Sequence, residues 1–434
     1  MTASGRPGVP GAGDTPEVAA RWGALSFPQF RRYWLAQIFR VLGLQFRIIA
    51  VPWLVSVELD RSPIWLGIVA VAAALPTIIF SVPAGVLADR FNDQKVLVVS
   101  QGAYAVAALA LPILILAGLA NIWIVIAWSI VTGMFAALGN PSMQSVMPRL
   151  IDMRVMPSAV ALNSMVWSGV RIVGPAVAGV LLAAIGTGDA FFVTAVAIGI
   201  ATVLFASLSP RPRVPSAAAS EHGDDMWTGA RYIMRTPIFL ATIGLSFFTS
   251  VFGMSYQFLL PVFAEDILQV GAKGFGALEA FTGIGSVLGT LAIIKVGAGR
   301  HAGSAMVIFA AIFGLLIAGF AASRSMPLSM ALLFLAGFSS ALYLNIGMTT
   351  LQVMVPDELR GRVMGIWSMT WFLASIGALP AGALAEVLGA PLSVALGGLA
   401  VSAFAVFVWI SAPRLRHVDL VDESDEAEAA ASGV

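Results

Sequence analysis

Two arginines interrupt an apolar run that is long enough to cross a membrane. The run "AQIFRVLGLQFRIIAVPW", residues 36–53, contains Arg40 and Arg47. An ionised side chain inside the hydrocarbon region is costly, so it is expected to face a protein interior or a water-filled cavity. Seven residues apart, the two lie on one helix face, about 10.5 Å apart along the axis, and Gln37 precedes Arg40 on that face. This pattern predicts a cationic surface that could bind an anion, unless protein carboxylates or helix carbonyls neutralise the arginines.

The composition indicates that a membrane protein with several helical spans positions these arginines. Of the 434 residues, 59% are hydrophobic and 11% are charged, and the mean hydropathy is +0.91. Soluble domains carry about 25% charged residues. Because membrane-spanning backbone must satisfy its own hydrogen bonds, long apolar runs are expected to be helices. The twelve predicted spans are 33–58, 64–88, 96–118, 121–146, 158–184, 189–208, 237–263, 273–296, 303–322, 327–352, 362–388 and 391–411.

The distribution of basic residues predicts the orientation of these spans. With a cytoplasmic N-terminus, eighteen of the 24 lysines and arginines fall on the cytoplasmic side, and Arg61, Lys273 and Arg324 fall outside. Cytoplasmic loops carry such an excess of positive charge, so both termini are predicted to be cytoplasmic. Arginine outnumbers lysine 21 to 3, a usage typical of a high-GC bacterial genome, which predicts a bacterial plasma membrane.

The polar segments divide the chain into two sets of six spans. The N-terminal tail is Gly/Pro/Ala-rich, the C-terminal tail is acidic, and both are predicted to be disordered. The central polar segment combines a Pro/Ser/Ala linker with an amphipathic helix at Met226–Arg235. The predicted organisation is a tail at 1–26, a six-helix bundle at 27–208, a linker at 209–236, a second bundle at 237–412 and a tail at 413–434.

Several function classes are excluded by missing residue types. The chain has no cysteine, and its three histidines lie in polar segments, so no thiol chemistry and no buried histidine metal site is predicted. It has no GxxxxGK[ST] loop. An enzyme, a metal or organic cofactor, ATP hydrolysis by this chain and nucleic-acid binding are therefore not expected.

The two halves resemble each other. "NPSMQSVMPRL" near residue 145 is similar to "GMTTLQVMVPDEL" near residue 352, and "VGPAVAGVLL" at 173 is similar to "ALPAGALAE" at 378. Repeats about half a chain apart are typical of transporters, whose substrate site lies at mid-membrane between the repeats.

Two motifs carry a family resemblance. "AGVLADRFNDQKVL", residues 84–97, resembles the signature between spans two and three of the major facilitator superfamily. "GVRIVGPAVAG" is similar to the fifth-span signature of its exporters, and "WTGARYIMRTP" resembles the branch with siderophore and multidrug exporters. The matching residues are Gly85, Leu87, Asp89, Arg90 and, one place late, Lys95 in the first motif, and Gly169, Gly174, Pro175 and Gly179 in the second.

The resemblance implies an all-α membrane fold of two pseudo-symmetric six-helix bundles around a cavity that span one lines. Asp89, with Arg90 and Lys95, would then hold the halves shut on the cytoplasmic side, rather than act as ordinary topogenic charges. Gly174-Pro175 would form a pliable joint that favours export, or would serve tight helix packing alone. If spans five and eight pack as in the family, Arg171 pairs with Glu279, which leaves Arg40 and Arg47 without a carboxylate.

The remaining candidates are polar or aromatic residues within the spans, of which Gln257 and Asn345 could contact a ligand or, more often for such residues, form hydrogen bonds between packed helices. Arg40 could instead find acceptors on Asn140 or Gln144, and tryptophans suit amphiphilic substrates. The predicted substrate-binding residues are Gln37, Arg40, Arg47, Asn140, Gln144, Trp167, Gln257, Asn345 and Trp371, and the predicted gating and coupling residues are Gly85, Asp89, Arg90, Lys95, Arg171, Gly174, Pro175, Gly179 and Glu279.

The predicted function is export of small amphiphilic, anionic molecules, such as siderophores or drug-like acids, by alternating access. Proton antiport, the family default, would use Glu279 or Asp89. The alternative is a broad multidrug efflux pump whose intramembrane arginines are structural. The expected partners are the small-molecule substrate, the lipid bilayer and protons, and the chain is expected to work as a monomer.

Overall fold

The computed structural model describes residues 23–212, 226–296 and 301–417, and the described secondary structure is helical. Spans one to six comprise Pro28–Trp53 with a π-turn at Leu54–Glu58, Pro63–Arg90, Asp93–Leu116, Ile122–Val146 and the continuous helix Met156–Ala206. Span seven comprises Pro237–Phe248, Tyr256–Val262 and π-turns at Thr249–Gly253 and Phe263–Ile267. Spans eight to twelve are Gly271–Val296, Ala302–Ala322, Met326–Met354, Asp357–Leu388 and Ala390–Ser411, and a further helix, Met226–Arg235, precedes span seven.

The helix Met156–Ala206 contains two spans. At 51 residues it would be about 77 Å long if straight, far more than the hydrocarbon thickness of about 30 Å. Gly186 breaks it, because its φ of 81° and ψ of 170° are non-helical. A positive φ of this kind is accessible to glycine at little cost. Counted on either side of Gly186, the described residues contain the predicted twelve helices of membrane-spanning length.

The helix array has two faces, at which the spans begin and end. The basic face is where Pro28, Asp93, Met156 and Ser411 begin or end spans, and the opposite face holds the breaks at Gly186 and Gly389. Gly389 ends span eleven with a φ of 83°, as Gly186 ends span five. The repeat predicted from the sequence therefore places equivalent glycine breaks at the same face of the two halves.

The two halves contact each other through spans two and eleven and through spans five and eight. A Cβ on Gly179 of span five would lie 2.6 Å from the carbonyl oxygen of Ala272 in span eight. A Cβ on Gly382 of span eleven would lie 2.6 Å from the carbonyl oxygen of Pro63 in span two. Small residues permit such close approach between membrane helices. Both glycines belong to the second pair of repeated motifs, so the repeat builds two equivalent contacts near the opposite face.

The ordered bundles extend beyond the predicted boundaries at 27 and 412. Residues Gly23–Ser26 form a 3₁₀ turn whose Ala24 is buried, and its backbone N–H donates to Ser158 Oγ over 3.1 Å. Pro413–His417 form another 3₁₀ turn, in which buried Leu415 packs against Gly303. Apolar contacts hold both turns against their bundles. The rest of the two predicted tails lies outside the described residues.

The start of the linker is fastened to the N-terminal bundle. Arg32 Nη1 donates to the carbonyl of Ser207 over 3.2 Å, and the backbone N–H of Ser209 donates to Gln29 Oε1 over 3.1 Å. Arg149 Nε donates to the carbonyl of Arg211 over 2.6 Å. The described part of the linker, up to residue 212, is therefore an extension of the first bundle.

Candidate functional site

A cavity of about 330 Å³ lies between the halves, and Arg47 lines it. We call it the central cavity. Its polar lining residues are Arg47, Thr77, Ser129, Gln257, Glu279 and Ser375, and the rest of the lining is apolar. Towards the opposite face, the rings of Trp53 and Phe275 stack across the two halves, with centroids 6.3 Å apart. Arg47 thus lies in the space between the bundles, on the basic-face side of these contacts.

Arg47 has no anionic partner among the residues that the structure describes. Its Nε is buried and makes no hydrogen bond. Glu279 lines the same cavity, but no nitrogen of Arg47 lies within 4.0 Å of its carboxylate oxygens. The Arg47 side chain as a whole is half-buried, and a cation that is partly removed from water is stabilised by a negative charge placed beside it. The site is therefore suited to an anion that enters from outside the protein.

Arg171 and Glu279 are close enough to interact electrostatically, as predicted for spans five and eight, but they do not form a contact ion pair. No nitrogen–oxygen distance between them is 4.0 Å or less in the described part of the chain. Buried Tyr256 lies beside both side chains. Arg171 instead lines a second cavity. Among the described residues, Glu279 therefore has no direct salt bridge that would neutralise it.

The second cavity has a volume of about 550 Å³ and lies towards the basic face. We call it the wide cavity. Gln257, Phe258 and Ser375 line both cavities, which makes the two contiguous. Its other lining residues include Trp167, Ser168, Arg171, Ser250, Met254, Ser286, Thr290, Ser340, Asn345, Met348, Trp367 and Ser368. Hydroxyls, one cation and two tryptophans from both bundles therefore surround one open space.

Arg40 does not line either cavity, although it shares a helix face with Arg47. It is 8% exposed, and its Nε donates to Gln37 Oε1 over 2.8 Å. Its guanidinium carbon lies 5.6 Å from the centroid of the Trp167 ring. The acceptor of Arg40 is thus Gln37 rather than Asn140 or Gln144. Asn140 is half-buried, and Gln144 is exposed.

The other predicted residues fall in different surroundings. Asn345 Nδ2 donates to the carbonyl of Ala341 over 2.7 Å and to Thr290 Oγ1 over 3.3 Å, at the wall of the wide cavity. Lys95 is exposed at the basic face. A Cβ on Gly174 would lie 2.8 Å from Cβ of Gln45, and the helix continues through Pro175. Gly174-Pro175 therefore packs tightly against span one without unwinding span five.

Four predicted residues lie on the backbone of two spans. Span two passes through Gly85 and ends at Asp89 and Arg90, and Trp371 belongs to span eleven. The side chains of Asp89, Arg90 and Trp371 lie outside the described part of the structure. The closure of the basic face by Asp89 stays a prediction.

An ion pair that the sequence reasoning missed lies beside this motif. Arg149 Nη1 donates to Asp93 Oδ1 over 2.6 Å and to Oδ2 over 2.5 Å, and Ser145 Oγ donates to Oδ2 over 2.7 Å. Asp93 is 3% exposed. The Asn92 side chain caps the same helix start by accepting from the N–H groups of Gln94 and Lys95. The sequence does signal a role for Asp93, because a carboxylate is favoured in the first turn of a helix, but it does not indicate Arg149 as the partner.

Comparison with known families decides the class of protein. The family model described as transmembrane secretion effector matches residues 19–431. This chain belongs to that family of major facilitator transporters. It is a multi-pass membrane transporter, and its family and relatives are transporters rather than enzymes.

Individual relatives agree with this assignment. The chain is 24% identical over 401 residues to the enterobactin exporter EntS of Escherichia coli strain K12, which covers 90% of this chain and 93% of that protein. EntS of Shigella boydii serotype 4 gives the same identity and coverage. A mutant of the nucleoside transporter NupG superposes with a TM-score of 0.71 at 12% identity, covering 88% of this chain and 99% of that one.

A bacterial homologue of the human lysosomal transporter Spinster superposes with a TM-score of 0.67 at 15% identity, covering 93% of this chain and 97% of that one. At these identities the solved structures establish the fold. The exporter relatives support efflux as the direction of transport.

Proposed function

We propose that this transporter exports small amphiphilic anions across a bacterial plasma membrane by alternating access. The observation that carries the proposal is Arg47, a cation in the cavity between the bundles that pairs with no anion among the described residues. The apolar lining of the same cavity suits the rest of an amphiphile. The similarity to enterobactin exporters supports export of a small molecule, and a siderophore-like or drug-like anion is the substrate class that suits Arg47.

The charges support an orientation in the membrane, and the position of the cavity within one chain supports a monomer. The basic face, with its excess of arginine, would be cytoplasmic. The bundles are in contact near the opposite face, and the wide cavity lies on the basic side of these contacts, so this state would receive substrate from the cytoplasm. The chain would work as a monomer, because both bundles and the cavity between them come from one polypeptide.

Replacing Arg47 by glutamine tests the anion proposal. We expect the apparent KM for anionic compounds to rise about 10- to 150-fold, because a hydrogen bond to a charged group contributes about 1.5–3 kcal/mol. Uptake of neutral compounds into inside-out vesicles should change little. Arg61→Gln, which removes an exposed arginine at the opposite face, is the matched control.

The alternative is a broad multidrug pump with structural arginines. The burial of Arg40 and its bond to Gln37 favour this reading for that residue. Equal losses for anionic, neutral and cationic compounds in Arg47→Gln would replace the anion proposal with this alternative.

Glu279 is the proposed proton carrier for antiport. It lines the central cavity and lacks a contact ion pair in the described structure, so its carboxylate is free to gain and lose a proton. In Glu279→Gln, we expect transport driven by a pH gradient to be lost while exchange of labelled for unlabelled substrate continues. Asp266→Asn, which changes an exposed carboxylate of span seven, is the control. Retained pH-driven transport in Glu279→Gln would remove Glu279 from proton coupling.

A further inference from the structure

Span one and span five are joined by a ladder of polar contacts on the basic side of the central cavity. Gln37 Nε2 donates to Asn163 Oδ1 over 3.2 Å, and the guanidinium of Arg40 lies over the ring of Trp167. Gln37 and Arg40 are themselves joined, since Arg40 Nε donates to Gln37 Oε1. Residues three or four apart lie on one helix face, so both contacts come from one face of each helix. The ladder fixes where the indole stands.

The indole of Trp167 has Arg40 over its ring, and the same side chain borders the wide cavity. Arg40, on the protein side of the ring, is buried, whereas Trp167 is 41% exposed and lines the wide cavity. Trp367 on span eleven and Met254 on span seven face the same cavity from the other bundle. A rigid aromatic surface with one open face is suited to stacking against a planar group.

The cation behind the ring determines which planar group fits best. An aromatic face carries partial negative charge, which attracts cations. Because Arg40 already draws on this charge from the protein side, the open face of Trp167 attracts a second cation less. The same polarisation reduces repulsion towards an electron-rich ring. The arrangement therefore favours an aromatic anion over an aromatic cation.

We propose that the open face of Trp167 binds a planar aromatic group of the transported anion, with Arg40 and Gln37 as positioning residues that act through the indole. This inference rests on the proposed function and narrows its substrate class to aromatic anions. Arg47 binds the negative charge deeper in the membrane, and Arg40 does not touch the substrate. The two intramembrane arginines of span one thus have different tasks.

Two ligands of equal charge and similar shape separate the ring from the charge. We would titrate the purified protein in nanodiscs with 2-naphthoate and with its saturated analogue decahydro-2-naphthoate, using calorimetry. Stacking on an aromatic side chain should make the wild type bind 2-naphthoate about 5- to 150-fold more tightly than the saturated analogue. Trp167→Leu should bring this ratio close to one, and Trp167→Phe should keep most of it. Trp123→Leu, at an exposed tryptophan near the opposite face, should keep the wild-type ratio.

The role of Arg40 is tested by comparing the affinity for an aromatic anion with that for an aromatic cation. In Arg40→Gln the preference for 2-naphthoate over 2-naphthylmethylammonium should fall several-fold, while the affinity for decahydro-2-naphthoate stays the same. Arg40→Lys should restore the preference. A role of Arg40 limited to folding would lower the affinity for all three ligands together.

The outcomes separate this inference from the function on which it rests. The assignment of Trp167 would be overturned if the ratio of the affinities for 2-naphthoate and its saturated analogue were unchanged in Trp167→Leu. Loss of this affinity ratio in a folded Trp167→Phe would overturn it too. If Trp367→Leu alone removed the preference for 2-naphthoate over its saturated analogue, the stacking surface would be Trp367 of span eleven, and the assignment of Trp167 would be overturned as well. Binding of the saturated anion no tighter than that of neutral decahydro-2-naphthalenemethanol would refute the anion proposal itself.

Discussion

Valine at position 276 is expected to slow transport by about 5- to 150-fold by preventing the opposite face from closing. A Cβ on Gly276 would lie 2.5 Å from the carbonyl oxygen of Pro175 and 2.9 Å from Cα of Gly179. Backbone atoms of a packed helix cannot move aside as a flexible side chain would. Overpacking of this kind costs about 1–3 kcal/mol, and the cost falls on the state in which spans five and eight touch. The equilibrium then shifts away from that state by the stated factor.

Transport of an anionic dye in proteoliposomes would measure the rate. The chain has no cysteine, so spin labels can be placed directly at Leu119→Cys and Val387→Cys, two exposed positions near the opposite face in different bundles. The distance between the labels should lengthen in Gly276→Val.

Gly199→Val is the matched control for this substitution. A Cβ on Gly199 of span six would meet nothing within 4 Å, so the same change of residue should leave the rate and the distance unaltered. If Gly276→Val transports as fast as Gly199→Val with an unchanged label distance, the contact between spans five and eight does not control closure.

Asp93→Ala is expected to destabilise the N-terminal bundle by about 1.5–3 kcal/mol, the contribution of hydrogen bonds to a charged group, because Asp93 is buried while Arg149 stays partly exposed. Asp93 joins the start of span three to Arg149 and Ser145, next to the end of span four. Arg149 also donates to the carbonyl of Arg211 at the start of the linker. Without the carboxylate, the guanidinium loses its counter-ion and the linker loses a well-oriented anchor.

Thermal denaturation of the purified protein in detergent would measure this loss as a lower midpoint. The double variant Asp93→Ala/Arg149→Met should recover much of it, because no unpaired charge remains. Lys95→Ala, an exposed change two residues away, should stay within about 0.5 kcal/mol of the wild type. A midpoint in Asp93→Ala equal to that of Lys95→Ala would contradict a structural role for the pair.

Much of the fold was predictable because it follows from constraints that act along the chain. A run of about 20 apolar residues must be a helix in a membrane, so the twelve spans could be counted from the sequence. Gly179 and Gly382 belong to repeated motifs, and the repeat correctly indicated two equivalent halves. The amphipathic pattern of Met226–Arg235 likewise predicted a helix, and the structure contains one with these bounds.

The site was less predictable because it depends on which helix stands beside which. Arg40 and Arg47 have the same residue type, the same helix face and similar sequence surroundings. Packing alone separates them, since span five places Trp167 against Arg40 while Arg47 faces the space between the bundles. The pair of Asp93 and Arg149 joins residues 56 positions apart, and no local pattern relates them.

The hydropathy, the charges and the glycines of the sequence thus determine the number of membrane helices and the fold class. They also reveal that arginines lie within the membrane, where an ionised side chain is energetically unfavourable. The tertiary structure decides which of these cations meets the cavity, because burial and partnership depend on the surfaces of neighbouring helices. A charge in the membrane is visible in the sequence, and the group that faces it is visible when the helices are packed together.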